Sequence, residues 1–148
     1  MPMKKLYARK LIKQFISNQK EKTFTTKQCN YWWNILNIAV FEGKLQTPSF
    51  AMRKTTKYFG ECFGYSGKEK AIKIIITTAN TNNTEFIATI VHEMVHQWQY
   101  TVDASRKMTH GKSFLTWRPK ISRTIGIQLH KYGESENLTP HMKRKLKR

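Results

Sequence analysis

The chain has 148 residues, with 27 lysines and arginines against 9 aspartates and glutamates, so its formal net charge at pH 7 is +18. This length suffices for one domain with a single hydrophobic core. No apolar run approaches the roughly 20 residues that span a bilayer, so the composition excludes a membrane-spanning protein. Charges interrupt the apolar runs near the N terminus and the two cysteines lie far apart, so we expect a cytoplasmic, intracellular protein with free thiols and no signal peptide.

The positive charge predicts attraction to polyanions, above all nucleic acid, with a strong salt dependence because binding releases counterions. The candidate contacts lie towards the two ends of the chain and are Lys4, Lys5, Arg9, Lys10, Arg144 and Lys145. Two alternatives stay open at this point. The charge could serve solubility alone, or the N-terminal segment could form a basic amphipathic helix on a membrane surface, which we favour less.

Two helices are predicted first. One covers residues 4–19, and the second covers about 26–42, where Gly43 is suited to end it. The apolar side of the second helix consists of Trp32, Ile35, Leu36, Ala39 and Val40. We expect Trp32 and Trp33 to be core anchors rather than platforms for stacked bases.

Strands are predicted next. Residues 48–59 and 61–65 have the character of short strands, and a turn follows at 64–70. Residues 71–78 predict a clearer strand, because isoleucines alternate along one face of it.

A third helix is predicted over residues 84–101, after a polar loop at 80–83. Asn83 or Thr84 could cap its first turn by accepting a hydrogen bond from a free backbone N–H. Apolar residues at helical spacing then indicate one buried face. They are Ile87, Ile90, Val91, Met94, Val95 and Trp98.

The most informative pattern lies inside this helix, where His92, Glu93 and His96 form the sequence H-E-x-x-H. Histidines four residues apart lie above one another on a helix, so both imidazoles can reach one metal ion, and the glutamate between them can take a proton from water. A chance match in such a chain has a frequency of about one in a hundred, so the motif needs support from its surroundings. The alternative is a core helix with two hydrogen-bonded histidines.

A catalytic zinc usually has three protein ligands and one open position. Of the remaining histidines, His110 is our candidate for the third ligand, because the 14 residues after His96 allow a helix end and a polar loop before the chain returns. By itself His110 would be interpreted as an exposed loop residue. We expect His141 to be solvated, whereas His130 could lie in the core, on the surface or beside the site.

The last predicted elements are a helix at about 112–126 and a basic tail at 133–148. Pro119 falls inside this helix, and a proline in a helix interior removes a hydrogen bond and kinks the chain. We therefore expect this helix to bend or to restart near Pro119.

Taken together, these pieces resemble the SprT-like (Spartan) family of zinc metalloproteases. The matching segments are 33–45, 60–63, 72–74, 92–98, 110–114 and 129–130. The run from His92 to Trp98, followed by His110-Gly-x-x-Phe, is far more specific than H-E-x-x-H by itself. Many bacterial relatives also carry a C-terminal four-cysteine zinc ribbon, which this chain, with only Cys29 and Cys62, lacks.

The resemblance implies one zinc ion bound by His92, His96 and His110, with Glu93 as the general base that activates its water. It also implies a DNA-associated protease that degrades proteins bound or crosslinked to DNA. We expect exposed single strands to be preferred, because aromatic side chains can stack on bases. Tyr65 and His130 are our candidates for an oxyanion or substrate contact.

The predicted fold class is α+β, a zincin-like domain in which a small sheet packs on helices around the H-E-x-x-H helix. We divide the chain into a basic N-terminal helix (1–22), a metalloprotease domain (23–132) and a basic C-terminal tail (133–148). In such a fold an extended substrate can add to an edge strand beside the metal, and residues 71–78 are our candidate for that edge.

These observations predict a monomeric, nucleoid-associated zinc metalloendopeptidase, in a bacterium or in a cell infected by a virus. A nucleic-acid-binding module with a structural zinc and no peptidase activity is the main alternative. Glu93 disfavours that alternative, because a structural zinc site needs no such carboxylate. A metallopeptidase whose substrates are unrelated to DNA is a third hypothesis.

Overall fold

The computed structural model describes residues 3–18, 23–65, 71–103 and 107–130. In these residues it contains α1 (Lys5–Ser17), α2 (Thr26–Phe41), β1 (Ser49–Arg53), β2 (Gly60–Gly64), β3 (Ile72–Thr77), α3 (Asn83–Thr101), α4 (Lys112–Leu115) and α5 (Trp117–Ile125). Helices and a three-stranded mixed sheet form an α+β arrangement, which confirms the predicted fold class.

The strand order in the sheet is β1-β3-β2, with β1 parallel and β2 antiparallel to β3. The expectation that residues 71–78 form a free edge is therefore wrong, because β3 lies in the centre. Its isoleucines are buried on both faces, with Ile74 and Ile75 only 0% and 3% exposed. A continuous isoleucine run is typical of such a central strand. The edge that approaches α3 belongs to β2.

The predicted strand at 48–59 is too long, since β1 ends at Arg53. Two threonine hydroxyls cause the turn that follows. Thr78 Oγ1 accepts from the backbone N–H of Thr55 at 3.1 Å, and Thr55 Oγ1 accepts from that of Lys57 at 3.2 Å. These side chains replace ladder partners and so turn the backbone away from a strand.

Helix α2 begins with a capping box, in which Thr25 and Gln28 each bond the other's backbone N–H. Trp33 is 1% exposed, and Trp32 stacks on Phe15 of α1 with ring centroids 4.2 Å apart. Both tryptophans are thus core residues, as predicted. The helix ends at Phe41, where the left-handed backbone begins at Glu42 and continues in Gly43.

Helix α1 packs against this same core, with Ala8 and Ile12 fully buried. Arg9 extends from α1 to the C terminus of α5, where Nε donates to the Thr124 carbonyl at 3.1 Å and Nη2 to the Arg123 carbonyl at 3.4 Å. Carbonyls at a helix end have no partner within their helix, so a guanidinium there satisfies them. The division of the chain at residue 22 stays a prediction.

Helix α3 is capped by Asn82, which accepts from the backbone N–H of Glu85 at 2.9 Å, and not by Asn83 or Thr84 as expected. Asn83 instead caps another helix. Its Nδ2 donates to the carbonyls of Phe15 at 2.9 Å and Asn18 at 2.8 Å, at the end of α1. The side chain predicted to begin α3 therefore joins α3 to α1.

The predicted helix at 112–126 is two helices that meet at Thr116. Pro119 is the third residue of α5, within the first turn, where a backbone N–H has no partner inside the helix. The expected restart near Pro119 is confirmed.

Some predicted segments lie outside the described residues. They are the end of the predicted first helix (19), the N-terminal residues 1–2 and 20–22, most of the predicted turn (66–70) and the tail (133–148).

No helix within the described ranges is long and apolar enough to cross a membrane.

We predict that Arg9→Met lowers the free energy of unfolding by about 1–2 kcal/mol, because the α5 carbonyls lose their partner. Lys10→Met is the matched control, since Lys10 is the exposed neighbour of Arg9 on the same helix. It should change the free energy of unfolding by less than about 0.5 kcal/mol. Urea unfolding of both variants measures the difference, and equal effects would contradict the capping role.

Candidate metal centre

Three imidazoles converge at one point. His92 and His96 lie one turn apart on α3, and His110 lies just before α4. The Nε2 atom of His110 is 3.1 Å from Nε2 of His96 and 3.1 Å from Nε2 of His92. The three histidines singled out in the sequence are therefore neighbours in the structure.

Two of these rings have their tautomers fixed from outside. His92 Nδ1 lies 3.0 Å from the backbone carbonyl of His130, which can only accept, so Nδ1 carries the proton. His96 Nδ1 lies 2.8 Å from Oε1 of Gln99 and must donate for the same reason. A neutral ring with its proton on Nδ1 has a lone pair on Nε2, so both lone pairs point to the shared point.

This arrangement fits a zinc ion. Nitrogens bound to zinc at 2.0–2.1 Å in tetrahedral geometry lie about 3.3 Å apart. The two separations from His110 Nε2, 3.1 Å each, are close to that value, and the three ligand nitrogens all lie within 4.8 Å of one another. Facing lone pairs repel one another unless a cation lies between them, and three histidine ligands leave a fourth position open. The three side chains could therefore hold one metal ion.

Burial lowers the pKa of His92 well below its usual value, and the positive charges of His96 and His110 add to the effect. The bond to the His130 carbonyl opposes this shift. Burial also lowers the pKa of His96, against the opposing hydrogen bond to Gln99. Both rings are thus held neutral, which is the form that binds a metal.

Glu93 is 5% exposed and lies on α3 directly after His92. Burial, with a smaller contribution from the charge of Glu61, raises its pKa from 4.5 to about 8. Strand β2 leaves room for the carboxylate because residue 60 is a glycine. A Cβ atom there would lie 3.1 Å from Glu93 Oε2 and 2.8 Å from Thr89 Cγ2.

The histidines and Glu93 share an open cleft of about 350 Å³. Its other lining residues are Tyr58, Phe59, Gly60, Glu61, Cys62 and Met108. Phe114 lies behind the histidines, fully buried, with its ring centroid 4.8–5.0 Å from each of the three imidazole centroids. One side of the metal centre is thus closed by packing, and the other faces strand β2 and the cleft.

Comparison with known proteins agrees with this geometry. The model of the SprT-like family matches residues 13–140, which is most of the chain. The chain belongs to the SprT-like family. No curated protein matches it. The resemblance inferred from the sequence is confirmed, and the matched range spans the three histidines and Glu93.

The other predicted site residues lie in different places. Tyr65 follows β2, is 52% exposed and is not among the described residues that line the cleft. His130 contributes its backbone carbonyl, which orients His92. Tyr58 and Phe59 are buried, and both form part of the cleft lining.

Of the predicted nucleic-acid contacts, Lys4, Lys5 and Lys10 are exposed on α1 or at its start, whereas Arg9 is partly buried against α5. Arg144 and Lys145 lie outside the described residues, as does His141.

Several residues of this SprT-like site escaped the sequence analysis. Gln99, Gly60 and the His130 carbonyl are the main ones. A signal for Gln99 did exist. It lies three residues after His96, on the same face of the helix, which is the spacing of a side chain that can bond the ring.

We predict that zinc affinity falls by no more than about tenfold between pH 6.5 and pH 5.5. Three histidines of ordinary pKa, about 6.5, would together cost roughly 170-fold, because each must lose a proton before it binds. The lowered pKa values of His92 and His96 keep both rings neutral in this range, so at most one proton competes with the metal. Competition with a chromogenic chelator at each pH measures the change in affinity, and a fall of about a hundredfold or more would contradict the assignment.

Proposed function

We propose that this SprT-like protein is a zinc-dependent metalloendopeptidase that acts on proteins bound or crosslinked to DNA. The observation that carries the proposal is the placement of three converging imidazoles and a buried glutamate in one open cleft. Three ligands and an open position are typical of catalytic zinc, whereas structural zinc is usually closed by four protein ligands.

His92, His96 and His110 would hold the zinc. When bound, zinc supplies a Lewis acid that polarises a peptide carbonyl and lowers the pKa of water to near neutrality. The protein's part is to present neutral imidazoles, which the His130 carbonyl and the Gln99 amide do by holding the Nδ1 protons of His92 and His96.

Glu93 would act as the general base and then as the general acid. Its carboxylate would take the proton of the attacking water and pass it to the nitrogen of the leaving amine. A pKa raised to about 8 by burial suits a group that holds and returns a proton near neutral pH. A dication nearby would counter part of this shift, because an opposite charge favours the ionised carboxylate.

Strand β2 is the proposed docking edge for the substrate. It is a terminal strand of the described sheet, and Gly60, Glu61 and Cys62 from it line the cleft. A strand with an unpaired edge can receive an extended peptide through backbone hydrogen bonds. A segment added to β2 would therefore pass along the cleft.

The DNA partner is supported by a basic surface where α1 meets α5, formed by Lys5, Lys120 and Arg123, which we call the α1–α5 surface. Burial lowers the pKa of Lys120; Glu42 opposes the shift, and the positive charges of Lys5, Lys44 and Arg123 add to it. The neighbouring positive charges of the α1–α5 surface are suited to binding phosphates. Single strands would gain further affinity from bases that stack on an exposed tyrosine such as Tyr7, which is 55% exposed on α1.

We predict that Glu93→Gln lowers the rate of cleavage of a DNA-bound basic protein by at least about a hundredfold while zinc affinity stays within about threefold. The amide keeps the shape of the side chain but cannot carry the proton. The measurement compares the cleavage rates of wild type and variant, with and without single-stranded DNA and with a chelator control.

Retained cleavage by Glu93→Gln would overturn the mechanism. If wild type binds one zinc and DNA firmly but cleaves nothing under any condition, the binding module with a structural zinc replaces the peptidase. Cleavage that is indifferent to DNA would favour a peptidase with substrates unrelated to DNA.

We predict that replacing Lys5, Lys120 and Arg123 together by glutamine weakens single-stranded DNA binding and flattens its salt dependence. Each lost phosphate contact lowers the slope of log K against log salt by about 0.7, so three contacts give about 2. The control replaces three exposed lysines outside this surface, Lys27, Lys54 and Lys57, and has the same net charge. Equal effects of the two triple variants would show that total charge, and not the α1–α5 surface, determines binding.

A further inference from the structure

We propose that Gln99 couples the two halves of the metal centre, the helix with His92 and His96 and the loop with His110, and thereby sets the affinity for zinc. The inference rests on the proposed function, because it assumes that the three histidines bind zinc. Gln99 acts through other residues, so it is a positioning residue and not a ligand.

The amide of Gln99 is fully buried, and four hydrogen bonds use all of its capacity. Oε1 accepts from Nδ1 of His96 at 2.8 Å and from the backbone N–H of Thr109 at 3.1 Å. Nε2 donates to the Thr109 carbonyl at 3.0 Å and to Ser113 Oγ at 2.8 Å. His96 is itself a candidate zinc ligand, and Thr109 and Ser113 lie within three residues of His110.

The two bonds to Thr109 fix the position of the third ligand. One amide side chain pairs with both the N–H and the C=O of a single residue, as a neighbouring strand would. That residue directly precedes His110, and Ser113 lies just after it in α4. The loop with His110 is therefore attached to α3 on both sides of the histidine.

The same bonds determine which tautomer His96 adopts. If the amide were rotated by half a turn, a donor would face His96 Nδ1, the ring proton would move to Nε2, and that nitrogen could no longer bind a metal. The Thr109 carbonyl and N–H exclude the rotation, because it would place like groups against each other. The hydrogen bonds of the Gln99 amide therefore both attach the His110 loop to α3 and set the tautomer of His96.

Gln97 provides a matched control on the same helix. It is 1% exposed, its Oε1 accepts from Trp33 Nε1 at 3.0 Å, and its Nε2 donates to the Gln46 carbonyl at 2.7 Å. It resembles Gln99 in type and burial, and both ends of its amide are also hydrogen-bonded, but these partners join α3 to α2 and to the segment before β1. A general loss of buried hydrogen bonds should affect both glutamines alike.

The experiment compares Gln99→Leu with Gln97→Leu in the full chain. Both variants should lose thermal stability in the metal-free form. Zinc affinity, measured by competition with a chromogenic chelator, should weaken about 10- to 100-fold in Gln99→Leu and less than about threefold in Gln97→Leu. The ring nitrogen NMR shifts of metal-free His96 should show Nδ1–H in wild type and Gln97→Leu, and a mixture of tautomers in Gln99→Leu.

A second variant, Gln99→Glu, separates the two roles and serves if Gln99→Leu does not fold. A carboxylate still accepts from His96 but cannot donate to the Thr109 carbonyl. The His96 tautomer should therefore be kept, while zinc affinity falls because the bond to the Thr109 carbonyl is lost and a carboxylate oxygen faces that carbonyl. Unchanged affinity in Gln99→Glu would contradict the coupling.

The inference is overturned if folded Gln99→Leu binds zinc as wild type does, or weakens no more than Gln97→Leu. If wild type itself binds no zinc, the proposed function fails and the coupling to affinity fails with it. If wild type binds zinc but cleaves no protein, the peptidase proposal fails, whereas the affinity and tautomer measurements still decide the role of Gln99.

Discussion

The convergence of three imidazoles, with His110 Nε2 at 3.1 Å from Nε2 of both His92 and His96, is the constraint on which the rest of the site depends. His92 and His96 must be neutral, with the proton on Nδ1, so that their Nε2 lone pairs face the shared point. The Nδ1 atoms of these two rings each have an acceptor that fixes the proton. Gln99 holds His96, and the His130 carbonyl holds His92.

These outer contacts bring distant segments into the site. Arg118 of α5 donates to the Leu129 carbonyl at 2.9 Å, one residue before the carbonyl that orients His92. Arg9 of α1 in turn satisfies the C terminus of α5. A chain of polar contacts thus extends from the first helix to the metal centre, so the N-terminal segment supports the site as well as contributing charge.

The parts of the fold that could be predicted are those whose signals are local. Helix α3 and its metal motif follow from a 3.6-residue period, and β3 from a run of isoleucines. The strand order, the β2 edge and the Arg9 cap each pair residues far apart in sequence, and no period encodes such pairing. Asn83 illustrates this limit. Asparagine is a favoured capping residue, but Asn83 caps the end of α1 and not the start of α3.

The separation of charge between surface and cleft has a consequence for inhibition. Glu61 and Glu93 are the charged side chains among the described residues that line the cleft, and no lysine or arginine joins them, although the protein carries a net charge of +18. Phosphate oxygens bind zinc, so a polyanion that entered the cleft would compete with a peptide for the open position. Under the proposed function, none of the described lining residues is a lysine or arginine that would hold a phosphate beside the metal, while the basic exterior would retain it at a distance. Nucleic acid bound at the surface would then not compete with a peptide for the metal.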